Sequence, residues 1–89
     1  MAEFDVEALH QRYGVPRYTL ECLERWSEDR LPPGGFITAV LLHDLFAAVA
    51  AGDPDNLDCL VEIVQVVYNY LPADCHGSRE AMEEWAKRD

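Results

Sequence analysis

The sequence RLPPGGF at positions 30–36 combines residues that could bind an anion. Gly34 and Gly35 stand before a helix predicted to begin at Phe36, and free backbone N–H groups and the helix dipole at such a start attract phosphate or carboxylate. Arg30 would add positive charge, Pro33 is part of the turn, and the ring of Phe36 could stack on a base. The glycines also fit a simpler interpretation as helix boundaries.

A second segment with the same character is the sequence CHGSR at positions 75–79. Gly77 and Ser78 precede a helix predicted to begin at Arg79, whose guanidinium would add charge to an anion site there. Positions 31–78 contain no Lys or Arg. An anion bound within that stretch would therefore depend on the flanking arginines or on backbone amides, unless this glycine too is only a helix boundary.

The histidine and aspartate at positions 43 and 44 interrupt an otherwise apolar segment. An unpaired carboxylate in such surroundings is costly, so Asp44 is expected to have a partner. We expect it to accept N–H groups from the loop at 75–78, with an arginine or a ligand as the alternatives. His43 fits a core or interface residue better than a ligand-binding one, and Tyr68 and His76 are the other residues expected to contribute to a binding site.

Metal binding and catalysis have little support in the sequence. His43, Asp44, Cys75 and His76 are suitable ligand types for a metal ion but lack a recognised spacing, so no metal and no cofactor is expected. Adjacent residues such as Cys75 and His76 seldom direct their side chains at each other, which argues against a nucleophile and base pair. We therefore predict a protein that is not an enzyme.

Composition and cysteine spacing predict a small acidic cytoplasmic protein. The 89 residues include 7 Lys and Arg against 17 Asp and Glu, for a net charge of −10, which argues against nucleic acid as the partner. Three widely spaced cysteines predict reduced thiols, and neither a targeting segment nor a membrane span is expected. Four acidic residues could mimic a phosphate backbone towards a basic protein or merely keep the chain soluble: Asp53, Asp55, Asp58 and Glu62.

Helix signals predict an all-α fold, a small bundle of four or five helices that forms one domain over residues 1–89. Residues 1–30 hold two short amphipathic helices. The first is capped by Asp5 and ended by Gly14, and the second begins near Pro16.

The remaining residues, 31–89, hold the proline–glycine turn, two longer helices and a final helix capped by Ser78. Apolar residues cover every side of the predicted helix at 36–51, so we expect it to be buried on most sides. Asp53 is the predicted cap of the next helix, at 54–71. Because only two residues separate these longer helices, they are expected to form a central antiparallel hairpin.

The predicted helix at 54–71 has two apolar faces. A chain of this length has little material to cover both of them in addition to all sides of the helix at 36–51. We therefore predict a homo-oligomer, with coverage by the two N-terminal helices of a monomer as the alternative. One face holds Leu57, Leu60, Val61, Val64, Val67, Tyr68 and Leu71, and the other holds Cys59, Ile63, Val66 and Tyr70.

The segment PPGGF at 32–36, continued by AVL at 39–41 and DL at 44–45, resembles a group of small proteins encoded by phages and prophages. The similarity extends from about Thr19 to Trp85 and includes the IVQVVY segment at 63–68 and the CHGS loop at 75–78. Members of that group often have asparagine at position 43 and tryptophan at position 76, where this chain has histidines. If these positions touch a ligand, its identity or affinity differs here.

The resemblance implies a phage accessory setting, and such proteins are often counter-defence factors in the bacterial host cell. With the glycine turns and arginines, it favours an oligomeric sponge, meaning a homo-oligomer that sequesters a small anionic nucleotide-like signal. In that function Phe36, Tyr68 or Tyr70 would stack a base. The acidic surface favours an alternative, a protein inhibitor or nucleic-acid mimic that blocks a host defence protein, and a structural or scaffold role is the second alternative.

Overall fold

The structure is a computed structural model that describes residues 4–88 as helices joined by short turns, with no β-strand in that range. Residues 1–3 and 89 lie outside the described part. The ends of the predicted domain therefore lie outside it as well, and so does part of the N-terminal segment in which no targeting signal is expected. An all-α fold is thus confirmed for the described residues. The helices are α1 (Val6–Tyr13), α2 (Arg17–Glu24), α3 (Gly35–Leu41), α4 (Leu45–Ala51), α5 (Pro54–Leu57), α6 (Leu60–Tyr70) and α7 (Arg79–Lys87), with a π-helical turn (Arg25–Asp29) continuing α2 and a 3-10 turn (Ala73–Cys75) before α7.

The two N-terminal helices begin and end as the sequence predicts. The carboxylate of Asp5 accepts a hydrogen bond from the backbone N–H of Ala8 at 3.1 Å and so caps α1. Gly14 ends α1 in the left-handed conformation, with φ at +73°, and its N–H donates to the carbonyl of His10. Pro16 then precedes the first turn of α2.

The prediction of one helix at 36–51 is wrong, because the chain leaves the helix at His43. His43 has a φ of +61°, and the next N–H, that of Asp44, donates back to the carbonyl of Ala39 at 2.9 Å. This is the Schellman ending of a helix, with histidine in the position that glycine usually occupies. The resulting helices α3 and α4 pack closely on each other. The predicted burial of this segment on most sides holds for α3, four of whose seven residues are buried, and is wrong for α4, where only Ala48 is buried.

The prediction of one helix at 54–71 is also wrong, although the segment begins as expected. The carboxylate of Asp53 accepts from the N–H of Asn56 at 2.9 Å and caps the short α5. The chain then leaves the helix at Cys59, and α6 begins at the following residue. A buried hydrogen bond of 2.6 Å, from the Thr19 hydroxyl to the Asn56 side chain, ties α5 to α2.

Because both long helices are divided, the seven helices exceed the predicted four or five, and the central hairpin of two long helices does not form. Its place is taken by the shorter hairpin of α3 and α4. Within residues 4–88 no helix is both long and apolar enough to cross a membrane.

The core closes around two tryptophans from opposite ends of the chain. Trp26 donates its indole N–H to the carbonyl of Cys75 at 3.0 Å, and Trp85 donates to the carbonyl of Trp26 at 3.1 Å. Both rings are almost fully buried. These bonds fasten the loop before α7 to the end of α2, and thereby fix the position of residues 75–78 beside the end of α3.

Candidate functional site

Exposed apolar side chains are concentrated on α4 and α6. Of the eight large apolar residues that are strongly exposed in the described part of the chain, only Tyr18 and Leu31 lie elsewhere. The most exposed are Phe46 at 87% and Tyr68 at 81%. Soluble monomers rarely present so many large apolar groups together. We call these six residues of α4 and α6 the groove face: Leu45, Val64 and Tyr68 line the groove described below, and Phe46, Val49 and Val61 lie on the same two helices outside its lining.

An apolar groove of about 280 Å³ lies between α4 and α6. Leu45 and Ala48 form the α4 wall, Val64 and Tyr68 contribute to the α6 wall, and Val40 of α3 also lines the groove. Asp44 is the only acidic residue in the lining, and the lining contains no Lys or Arg. The groove therefore offers mainly apolar contact and few groups that could hold an anion.

The two apolar faces predicted for the segment at 54–71 have different environments. Ile63 and Val66, from one face, are fully buried in the core. Leu60, Val64 and Tyr68, from the other face, line the groove and stay at least partly exposed. Val67 and Leu71, also from this second face, are buried, so within the described chain the fold covers most of the first face and only part of the second.

A hydrogen-bonded pair of histidines borders the groove. Nε2 of His43 lies 2.9 Å from Nδ1 of His76, so one ring donates and the other accepts. The ring centroids are 5.2 Å apart. Burial, and secondly the charge of a protonated His43, lower the pKa of His76 from its ordinary value, so this ring favours the neutral form.

The loop that carries His76 is anchored to the end of α3. The N–H of Gly77 donates to the carbonyl of Leu41 at 2.7 Å. Gly77 has a φ of +112°, and a Cβ at this position would lie 3.8 Å from the ring of His43. Both histidines were predicted site residues, but no local feature of the sequence indicates that their rings bond to each other.

The expectation that Asp44 accepts N–H groups from this loop is wrong. Its carboxylate accepts instead from the N–H of Ala47 at 3.1 Å and caps α4, and the residue is exposed. Because the carboxylate of Asp44 is exposed, it does not pay the cost of burying an unpaired charge and needs no buried partner. As a cap, it accepts a hydrogen bond from a backbone N–H that has no partner within α4.

The cysteine next to His76 lacks the properties of a nucleophile. Cys75 is fully buried, and burial raises the pKa of its thiol to about 11. Cys59 is buried as well, and Cys22 partly so; all three are free thiols. Within residues 4–88, no group of three or more His, Cys, Asp or Glu side chains is arranged to hold a metal ion.

The residues predicted to form the anion site around the proline–glycine turn do not converge. The guanidinium of Arg30 lies 5.6 Å from the centre of the Trp85 ring. Phe36 packs against Gly52, where an added Cβ would come within 2.9 Å of the ring. Gly34 and Gly35 are exposed and have no atom of another residue near the position of a Cβ.

A second cleft of about 200 Å³ lies between this turn and α7. Pro33 and Arg79 both line it, together with Glu83 and mostly apolar groups. Ser78 caps α7 as predicted, because its hydroxyl accepts from the N–H of Ala81 at 3.1 Å. The predicted site residues are thus divided between two places, with His43, Asp44, Tyr68 and His76 at the groove and Pro33 and Arg79 at the second cleft.

The four acidic residues considered for phosphate mimicry lie near Cys59. After burial, the largest influences that raise the pKa of the Cys59 thiol are their negative charges. Asp53 also accepts a hydrogen bond from the hydroxyl of Tyr18 at 3.1 Å. Glu62 lies in the first turn of α6 but is not part of the groove lining. The four residues are Asp53, Asp55, Asp58 and Glu62.

Comparison of the chain with protein-family models, with curated proteins and with solved structures finds no match in any of the three.

Proposed function

We propose that this protein is a non-enzymatic binding protein that acts through a protein–protein contact at the groove face. The observation that carries the proposal is the concentration of six strongly exposed apolar side chains on α4 and α6, three of which, Leu45, Val64 and Tyr68, line an apolar groove. The accessory role of such a protein in a phage-infected bacterial cytoplasm rests on the resemblance of its PPGGF segment alone. Within that role, protein contact is the mode of action that the geometry supports best.

The chemistry of the groove favours a protein surface over a nucleotide. The centres of protein interfaces are depleted of charge and enriched in aromatic residues, as is this face with Phe46 and Tyr68. A nucleotide phosphate needs cations or a ring of free N–H groups. The groove lining supplies neither Lys nor Arg, and the start of α4, which lies at the groove, is already capped by Asp44.

Site-specific photo-crosslinking inside the producing cells tests the proposal. A benzophenone amino acid replaces Phe46 in one variant and Tyr68 in another, and the cells are irradiated before lysis. We expect covalent protein adducts from both positions, because both side chains lie on the proposed contact surface. The matched control places the same group at Leu31, which is exposed but lies in the proline–glycine turn.

The outcome is read from the ratio of adduct to free protein at each position. Adducts at Phe46 and Tyr68 that clearly exceed those at Leu31 support a contact at the groove face. Equal, low adduct levels at all three positions would refute it. The mass of the adduct then shows whether the crosslinked partner is another protein or a second copy of this chain.

The second candidate function is the nucleotide sponge, which is favoured by Arg79 and Pro33 lining one cleft. A bound nucleotide would place a phosphate beside the guanidinium of Arg79. Ligand that binds only the folded state raises the free energy of unfolding, so a nucleotide panel should raise the melting temperature of wild type and not of Arg79→Ala. An unchanged melting temperature with every cyclic and linear nucleotide in the panel would count against this function.

A further inference from the structure

We infer that the occupant of the groove face is a second copy of this chain, in a two-fold symmetric dimer in which α4 and α6 of one copy face α4 and α6 of the other. This inference rests on the proposed function, since it names the partner at the same surface. It goes beyond that proposal because it requires no other protein. Three observations carry it: the area of the face, its shape and its distribution of charge.

The exposed apolar area is sufficient for a stable dimer. The six side chains of the groove face are exposed by 49–87%. With about 150–250 Å² for each aromatic side chain and somewhat less for each aliphatic one, they present on the order of 700 Å². A stable interface of ordinary size buries about 800 Å² on each partner. The groove face approaches that area before any rim residue is counted.

The shape of the face suits self-association. Phe46 and Tyr68 protrude, and the groove between α4 and α6 is concave and apolar. In a two-fold interface the same patch serves both partners, so protruding groups and the concave surface that receives them must lie on one face. Tyr68 is both strongly exposed and part of the groove lining, so a protruding group and the concave surface meet at this residue.

Charge also permits a second copy, although each chain has a net charge of −10. None of the six residues of the groove face is Asp, Glu, Lys, Arg or His. Asp44 is the one acidic residue of the groove lining, whereas Asp55, Asp58 and Glu62 lie outside it. Salt screens the repulsion between such exposed charges on the two copies. Two negatively charged copies can therefore approach through this neutral face, and the dimer should become tighter as salt rises.

The first measurement is sedimentation equilibrium on the full-length protein over a range of concentrations. We expect wild type to reach twice the mass of 10.1 kDa. Phe46→Ser and Tyr68→Ser should each raise the dimer dissociation constant at least about tenfold, which corresponds to about 1.4 kcal/mol. Because the interface is two-fold symmetric, one substitution removes the side chain from both copies and therefore two sets of contacts from each dimer. The control Leu31→Ser should leave the constant unchanged, and circular dichroism checks that every variant stays folded.

Isotope mixing then locates the interface. Heavy and light copies that carry the benzophenone group at Phe46 are mixed, irradiated and digested, and peptides that join a heavy chain to a light one report contacts between copies. We expect these peptides to map to α4 and α6. Crosslinks from Phe46 to a different surface of the second copy would contradict a two-fold interface.

The two proposals fail in different ways. A wild-type monomer at every concentration, with strong in-cell adducts from Phe46 to another protein, would overturn the dimer and leave the proposed function standing. A monomer without adducts at the groove face would overturn both. A dimer that persists at unchanged affinity in Phe46→Ser and Tyr68→Ser would place self-association elsewhere and would also refute this inference.

Discussion

The region around the two tryptophans and the groove face differ in how their apolar surface is covered. Trp26 and Trp85 are buried, and both indole N–H groups donate to backbone carbonyls from distant parts of the chain. On the groove face, Phe46 and Tyr68 are almost as exposed as in an unfolded chain. The first region completes its packing within one copy. The second leaves large apolar side chains exposed, as the proposed partner contact requires. Residues that hold the fold are therefore different from residues that are available for binding.

The largest expected difference between the two regions is in the cost of removing an aromatic ring. Trp26→Ala should lower the free energy of unfolding by about 3–5 kcal/mol, because a large buried ring and its hydrogen bond are lost. Phe46→Ala should change the unfolding of the monomer by no more than about 0.5 kcal/mol. Urea denaturation at a concentration below the dimer dissociation constant measures both. Similar losses in the two variants would break the comparison.

A smaller effect concerns the buried polar contact that fastens α5 to α2. Thr19→Val should cost about 1–3 kcal/mol of unfolding free energy, because the buried Asn56 side chain loses the hydroxyl that donates to it at 2.6 Å. The control is Thr38→Val, which removes a longer bond of 3.3 Å at a partly buried site and should cost less. Equal losses would mean that the Thr19 bond has no special role in placing α5.

The smallest expected effect is the dependence of stability on pH at the junction of the two regions. The pKa of His76 is lowered in the fold, so the folded chain binds this proton less tightly than the unfolded chain. Above the unfolded histidine pKa of about 6.5, neither state binds this proton and His76 does not reduce the free energy of unfolding. The free energy of unfolding decreases as the pH falls from there towards the lowered pKa of the folded state.

Thermal unfolding of wild type and of His76→Gln across this pH window isolates the contribution. Wild type should lose more stability than the variant as the solution becomes acidic, since only wild type carries the perturbed ring. Parallel curves for the two proteins would show that burial in the fold does not lower the pKa of His76.

The helix starts were predictable because each depends on a few neighbouring residues. Asp5, Asp53 and Ser78 cap their helices with their own side chains, and Gly14 ends α1 in the left-handed conformation that glycine adopts readily. None of these features needs a contact from a distant part of the chain.

The two helix breaks were not predictable in the same way. His43 adopts a left-handed φ, which histidine seldom does, and neither glycine nor proline marks the position. Cys59 leaves the helix directly after α5, which is fixed by the bond between Thr19 and Asn56, residues 37 positions apart. In both places contacts across the fold outweigh the helical pattern of the local sequence.

The candidate site was predictable only in part. The histidines and Tyr68 were identified by their chemistry, but Phe46 was missed, because in an apolar segment nothing local distinguishes an exposed side chain from a buried one. The opposite error concerns Arg30 and Phe36, whose chemistry suggested an anion site, whereas the fold engages them with Trp85 and Gly52.

Local sequence was therefore enough for the helical class, the caps and the existence of two apolar faces on the segment at 54–71, because these follow from backbone chemistry and helical periodicity. The tertiary structure decided which face is covered. The core packs on Ile63 and Val66 and leaves Val64 and Tyr68 beside the groove. Which of these residues is covered depends on the position of α4 after the break at His43. Side-chain type determines whether a surface is apolar, but only the tertiary packing determines whether the same chain covers it.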